Sequence, residues 1–209
     1  MLYDSTSTIE TFLNAAAAKQ PTPGGGSVAA LVGALSASMG EMVLNYSIGK
    51  KSLAAFENEL RPALAEFTRA RRLMQQLMLE DQAAFEAMQR IGKLPADSTE
   101  RASSYPAALL ACIRVPQTMA ATAVAILELC DRMVSFANVH LLSDLAVCAD
   151  LAMAATRCAV YNVKINLKDV TDEQDRRSIE SSMSQLLGHA AALIQKVAPR
   201  IWQRVETGA

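Results

Sequence analysis

The chain is poor in residues that interrupt regular structure, with nine glycines and seven prolines in 209 residues, and aromatic side chains make up only 5%. Folds built from many short strands need turn residues at close intervals, so this scarcity argues against sandwiches and barrels. Charge of one sign is lacking too: 20 basic and 21 acidic residues leave a net charge of −1, which gives no electrostatic reason to expect a nucleic-acid partner. Cys112, Cys130, Cys148 and Cys158 have no C-x-x-C spacing and lie among apolar residues. They read as small buried hydrophobes in a reducing compartment, and no metal site is suggested. The N-terminus has no basic region followed by an apolar run, so no secretory signal is expected and the location expected is cytoplasmic. The only apolar run that invites a membrane reading, Val28 to Leu44, contains Ser36, Ser38 and Glu41 and falls short of the roughly 20 apolar residues a span requires. It reads as a buried core helix, with no membrane partner. Repeats, charged tails and low-complexity linkers are missing as well, so residues 1–209 read as one domain.

What is present points to helices. Hydrophobic residues make up 51% of the chain, alanine and methionine are frequent, and glycine and proline fall mostly at element boundaries, so the fold class expected is all-α. The stretch that organises the rest is Pro21-Thr-Pro-Gly-Gly-Gly-Ser27, followed by a helix of small and apolar residues. Glycines let a backbone approach a ligand closely. A helix start, with Ser27 as its expected N-cap, presents unpaired N–H groups to an anion. The stretch reads as a binding loop, though a tight connection would use the same residues. A Walker loop is excluded, because Leu44 stands where the motif upstream of Gly49-Lys50-Lys51 needs glycine. The G-x-G-x-x-A spacing from Gly24 to Ala29 follows a helical segment rather than a strand, which weakens the dinucleotide reading.

In chain order, Ser5 or Ser7 is expected to cap a first helix running to about Lys19. The second helix runs to Gly49, with Ala29, Gly33, Ser36 or Ala37, and Gly40 forming a small face against which another helix can pack closely. A third helix, from about Ala54 to Arg90, has inward positions Leu60, Leu64, Phe67, Met74, Leu77 or Met78, Asp81, Phe85 and Met88. Asp81 falls on this apolar stripe, while Glu80 falls on the charged side. A carboxylate there is costly unless it is paired or used, so Asp81 is either bonded to a neighbouring helix or is a base tuned by burial. Ser98 or Thr99 opens a fourth helix that Pro106 and Pro116 are expected to interrupt before Gln117 to Phe136. Ser143 reads as the N-cap of a fifth helix, Leu145 to Val160, with Asp144 in its first turn. His140 lies too close to both in sequence to form a hydrolase triad with them. Tyr161 to Lys168 alternates polar and apolar residues and is either helical or extended; Asn162, Lys164 and Asn166 project together if it is extended. Thr171 with Gln174 makes a capping box for a last helix to about Val205. Helices of more than thirty residues have apolar stripes that a 209-residue globule does not cover, so an intertwined homodimer of about six long helices per protomer is expected.

Four separated segments together resemble one family. They are Pro21-Thr-Pro-Gly-Gly-Gly-Ser27 with its small-residue helix, Gly49-Lys50-Lys51, Glu80-Asp81-x-x-Ala84-Phe85, and Asn138-x4-Ser143-Asp144 followed by Asn162-Val-Lys-Ile-Asn-Leu167. They are similar to the formiminotransferase-cyclodeaminase C-terminal family, which includes stand-alone methenyltetrahydrofolate cyclohydrolases. The resemblance implies an all-helical intertwined dimer acting on a tetrahydrofolate derivative, with no cofactor beyond that substrate. Asp81 aligns with the family's acid–base aspartate. Gly24, Gly25, Gly26 and Ser27 would contact the pterin or its one-carbon group, Asn138, Ser143 and Asp144 the pterin edge, and Lys50, Lys51 and Lys164 the glutamate tail; Asn162 joins the same set. Ala96, where a lysine often follows Leu-Pro, and Ala137, where glycine is common, depart from the pattern. Lacking a transferase segment, the chain is expected to hydrolyse 5,10-methenyltetrahydrofolate to the 10-formyl compound. The alternatives are cyclodeamination of 5-formiminotetrahydrofolate with ammonia release, or a non-catalytic folate-binding helical dimer.

Overall fold

A computed structural model describes residues 2–208. It consists of helices α1 (Ile9–Ala17), α2 (Gly25–Asn45), α3 (Glu57–Gly92), α4 (Thr99–Met133), α5 (Leu142–Leu167) and α6 (Glu173–Thr207), with 3-10 turns at Lys51–Phe56 and Val139–Leu141. Among the described residues there is no strand. The all-α expectation holds.

The short α2 lies at the centre, packed along one flank by α3 and along another by α5. Its contact with α3 repeats every seven residues. A Cβ on Gly26 would overlap the Asp81 carboxyl, one on Gly33 would sit 2.6 Å from the Met74 methyl, and one on Gly40 would overlap the Phe67 ring. The two helices therefore run antiparallel, with Phe67, Met74 and Asp81 as successive knobs entering glycine holes. Asp81 occupies a rung that two apolar side chains fill elsewhere on the ladder. On the other flank, the Ser36 hydroxyl donates to the Cys148 carbonyl at 2.7 Å, and Gly25 lies against Asn162. The order of these pairs makes α5 antiparallel to α2 as well.

Local chemistry moved several boundaries. Thr8, rather than Ser5 or Ser7, caps α1; Gly24, rather than Ser27, caps α2, since the Ser27 side chain is spent elsewhere. The residues before Glu57 form a 3-10 turn instead of the start of α3. On α3, Leu60, Phe67, Met74, Leu77 and Met78 are buried, while Leu64, Phe85 and Met88 are half-buried. The last helix is capped by Asp172, whose side chain accepts from the Asp175 N–H, so the Thr171 box is not the cap. The fifth helix begins at Leu142 after the turn capped by Asn138, so Ser143 lies inside it and not at its N-cap.

Of the two readings open for Tyr161–Lys168, the helical one holds, because α5 runs unbroken to Leu167 with Lys168 as its C-cap. One larger expectation is overturned. Helix α4 passes through both Pro106 and Pro116 without interruption. A helical proline orphans the carbonyl four residues before it. For Pro106 that residue is the exposed Ala102, where water can serve. For Pro116 it is Cys112, whose carbonyl accepts the Asn166 side-chain amide of α5 at 3.0 Å. The membrane reading is also broader than one segment: Gly25–Asn45, Thr99–Met133 and Val139–Leu167 are all long and apolar enough to cross a membrane by length and composition, and 44–56% of each window is buried inside the fold.

Candidate active site

The ladder brings the first turn of α2 down onto the catalytic candidate of α3. Ser27, third in its helix and fully buried, donates its hydroxyl to the Asp81 Oδ2 at 2.9 Å. Gly26 presses so closely on the same carboxyl that no side chain fits there. Glycine at this position is thus a requirement of close approach rather than of backbone conformation. Helix α5 supplies Asn162 beside Gly25. Its side-chain amide donates to the Cys158 carbonyl, while the Asn166 amide donates both to the Asn162 carbonyl and to the carbonyl freed by Pro116. Asn162 and Asn166, four apart, lie on one helical face, and Lys164 does not share it.

Burial raises the Asp81 pKa above the ordinary carboxylate range, and the Ser27 hydroxyl and backbone N–H pull it part of the way back. Among the described residues no cation forms an ion pair with Asp81. The Cys112 thiol of α4 is pushed up to about 11, by its own burial and by the negative charge on Asp81, so it stays protonated at neutral pH. The arrangement is a half-buried carboxyl able to stabilise a cation and to take or give a proton, under a helix N-terminus whose Gly25 lies against Asn162. Among the described residues no three His, Cys, Asp or Glu side chains cluster as metal ligands.

The structure unites Gly24, Gly25, Gly26, Ser27, Asp81 and Asn162 but not the remaining candidates. Asn138 lies at the opposite end of α2, where its backbone N–H donates to the Ser47 hydroxyl and its side-chain amide to the Tyr46 carbonyl. Lys50 and Lys51 follow that same end, and Ser143 and Asp144 open α5 there. The 21 residues of α2, at about 1.5 Å each, separate the two groups by ~30 Å within one protomer. Lys164 is two residues from Asn162 yet points outward and is exposed. His140 and Ser143 are exposed, and no hydrogen bond joins them with Asp144 among the described residues. Sequence reading missed Cys112, Asn166 as an anchor, and Gln82. The position of Cys112, one turn before Pro116, was a usable signal for the first two; Gln82 carried none.

Residues 8–185 match the family model described as formiminotransferase-cyclodeaminase. Over 202 residues the chain is 31% identical to a methenyltetrahydrofolate cyclohydrolase from Methylorubrum extorquens, covering 95% of this chain and 97% of that protein. It is 30% identical over 200 residues to the formimidoyltransferase-cyclodeaminase of Sus scrofa, covering 94% of this chain but 37% of the longer relative. A crystal structure of formiminotetrahydrofolate cyclodeaminase from Thermotoga maritima superimposes with a TM-score of 0.81 at 28% identity, over 97% of each chain. With the helical ladder, the glycine turn against Asp81 and these matches in hand, the chain belongs to the formiminotransferase-cyclodeaminase family.

Proposed function

We propose that this protein hydrolyses 5,10-methenyltetrahydrofolate to 10-formyltetrahydrofolate, with Asp81 as the proton carrier. The observation that carries the reading is the half-buried Asp81 carboxyl, free of any ion-pair partner among the described residues and held by Ser27 under the glycine turn. The one-carbon bridge of the substrate is a cation between two nitrogens, so an unpaired carboxylate is the charge it calls for. The carboxylate takes a proton from water as its oxygen joins that carbon, then gives the proton to N5 as the C–N5 bond breaks. The remaining hydroxyl proton leaves to solvent as the formyl C=O forms. The carbon is already electrophilic, so the reaction calls on no cofactor beyond the folate itself. The nearly full-length match to a stand-alone cyclohydrolase favours this reaction. Cyclodeamination, a lyase reaction, remains the second reading because the Thermotoga relative matches just as completely. The test follows the absorbance of 5,10-methenyltetrahydrofolate with wild type and Asp81→Asn, and measures ammonia from 5-formiminotetrahydrofolate in parallel. Loss of methenyl turnover in the variant is expected; unchanged turnover would overturn the role of Asp81, and ammonia release as the main activity would reverse the choice of reaction.

The same reading includes a homodimer. Along α2 an outward line of Val28, Val32, Leu35, Met39, Met42 and Tyr46 is spaced three and four apart, with Val28, Leu35 and Tyr46 exposed. On α5 Val147, Leu151, Ala154, Cys158, Tyr161 and Ile165 repeat the spacing, and helical geometry turns both lines to the same side of the antiparallel pair. Helix α1 adds Ile9 and Leu13, 80% and 59% exposed. Apolar surface so continuous calls for a partner. A two-fold axis across the middle of α2 would set the Gly24–Ser27 end of one protomer beside the Tyr46–Lys51 end of the other. That is how Lys50, Lys51, Asn138, Ser143 and Asp144 would reach a pocket that their own protomer places out of range. Covering these lines with protein also removes the reason to seek a membrane, the near-zero net charge favours no nucleic acid, and four unbonded cysteines suit the cytoplasm.

A further inference from the structure

Gln82, next to Asp81, is a fully buried amide in a helix whose backbone bonds are already made. Its partner is the backbone of Tyr3, 79 residues away. The Gln82 Oε1 accepts the Tyr3 N–H at 2.8 Å, and its Nε2 donates to the Tyr3 carbonyl at 2.8 Å as well as to the Met78 carbonyl at 2.9 Å. The backbone donor and acceptor of Tyr3 are thereby both held by one side chain. The Tyr3 phenol accepts from the Gln20 amide at 3.3 Å, and its ring meets Phe12 edge-on at 6.4 Å. Gln20 leads directly into Pro21 and Thr22, and the buried Thr22 donates to the Glu86 carboxylate at 2.9 Å, one turn further along α3. The segment entering the glycine turn is thus pinned to the catalytic helix twice, once through Tyr3 to Gln82 and once through Thr22 to Glu86.

We infer that Gln82 is a positioning residue: by latching Tyr3, and through it Gln20, it holds the Gly24–Ser27 turn at the distance that keeps the Ser27 hydroxyl on Asp81. A buried amide that lost these partners would leave unpaired polar atoms on both sides, and breaking the latch frees the segment that delivers Ser27. Few charged groups surround Asp81. Helix α2 brings only the uncharged Gly26 and Ser27, α5 the uncharged Asn162, and α4 the Cys112 thiol, which stays neutral near pH 7; the carboxylates Glu80 and Glu86 lie on α3 itself. Losing the Ser27 bond removes an influence that lowers the Asp81 pKa.

This inference rests on the reading of Asp81 as proton carrier, so its test includes a readout that does not need turnover. The carboxyl carbon of Asp81 is titrated by NMR in the wild type, Gln82→Met, Tyr3→Pro, Tyr3→Ala and, as a control that softens the distant core, Val197→Ala. Both Tyr3 variants lose the phenol's bond to Gln20, and Tyr3→Pro alone also deletes the latched N–H, so the difference between them isolates the bond to Gln82. The midpoint is expected to move upward in Gln82→Met and Tyr3→Pro, with the double variant no worse than either single one, and to stay put in Val197→Ala. On the acid limb, kcat/KM for methenyl hydrolysis falls about two- to tenfold in the same two variants, the worth of one hydrogen bond, while KM changes little. A midpoint in Tyr3→Pro that matches wild type, or singles whose effects simply add, would overturn the latch, and Tyr3→Pro decides the matter if Gln82→Met does not fold. A shifted midpoint without any change in rate would uphold the latch and refute the role of Asp81 instead.

Discussion

Asp81 stands where a methionine or phenylalanine would stabilise the ladder, and its charge there is a cost that function explains. Burial has raised its pKa, so the folded protein binds a proton more tightly than the unfolded chain, and stability falls as pH rises from the ordinary carboxylate range through the raised value. Asp81→Asn keeps an oxygen for Ser27 but removes the charge. The expected result is a loss of about 10²- to 10⁴-fold in kcat together with a melting temperature at pH 7 that does not fall, measured by calorimetry across pH 4 to 8. A lower melting temperature for the Asp81→Asn variant at neutral pH would contradict the burial argument. The two neighbouring glycines separate in the same way. Gly26→Ala drives a methyl into the carboxyl and should cost about 1–3 kcal/mol by urea unfolding as well as most of the activity. Gly25→Ala meets Asn162 at 3.5 Å, an ordinary contact, and should leave stability nearly unchanged. The sequence placed Asp81 inward by counting helical positions, but nothing in the count told which neighbour it would touch. After three glycines Ser27 has the sequence context of a cap, and only the packed ladder shows its hydroxyl spent on the acid.

Among the elements, the pairing of α4 with α5 carries a test that residues taken singly do not. Pro116 leaves the Cys112 carbonyl without its helical donor, and Asn166 replaces that donor. Asn166→Leu should therefore destabilise by about 1–3 kcal/mol, the cost of a buried unpaired carbonyl, and Pro116→Ala should restore much of it by returning an N–H to Cys112. Equilibrium unfolding of the two singles and the double gives the coupling; strict additivity would show that the carbonyl finds another partner. The same bond explains why α4 looks broken in the sequence and is continuous in the fold. Local propensity sees a proline and predicts an interruption, whereas the bond that repairs the helix comes from about 50 residues further on. Tyr161–Lys168 stays open between helix and extended chain in the sequence for a related reason, since alternation alone cannot tell a polar helix face from a pleated edge.

For the molecule as a whole, the outward lines on α2 and α5 set the expectation. Leu35→Glu, at the centre of the α2 line and half exposed, should convert a dimer into monomers by light scattering while far-ultraviolet circular dichroism stays helical, and should lower turnover because the partner end of the pocket is lost. A variant that remains dimeric would place the interface elsewhere. The amino-acid sequence by itself determined the helices, their approximate order, the inward acid and the small-residue face, because helical periodicity and glycine spacing are local and survive without knowledge of neighbours. Only the tertiary structure decided that Gly26, Gly33 and Gly40 admit Asp81, Met74 and Phe67, that Asn166 mends α4, that Gln82 holds Tyr3, and that one group of candidate residues lies ~30 Å from the other. Those facts depend on which helix packs beside which and in what register, and residues far apart in the chain carry no local record of that choice.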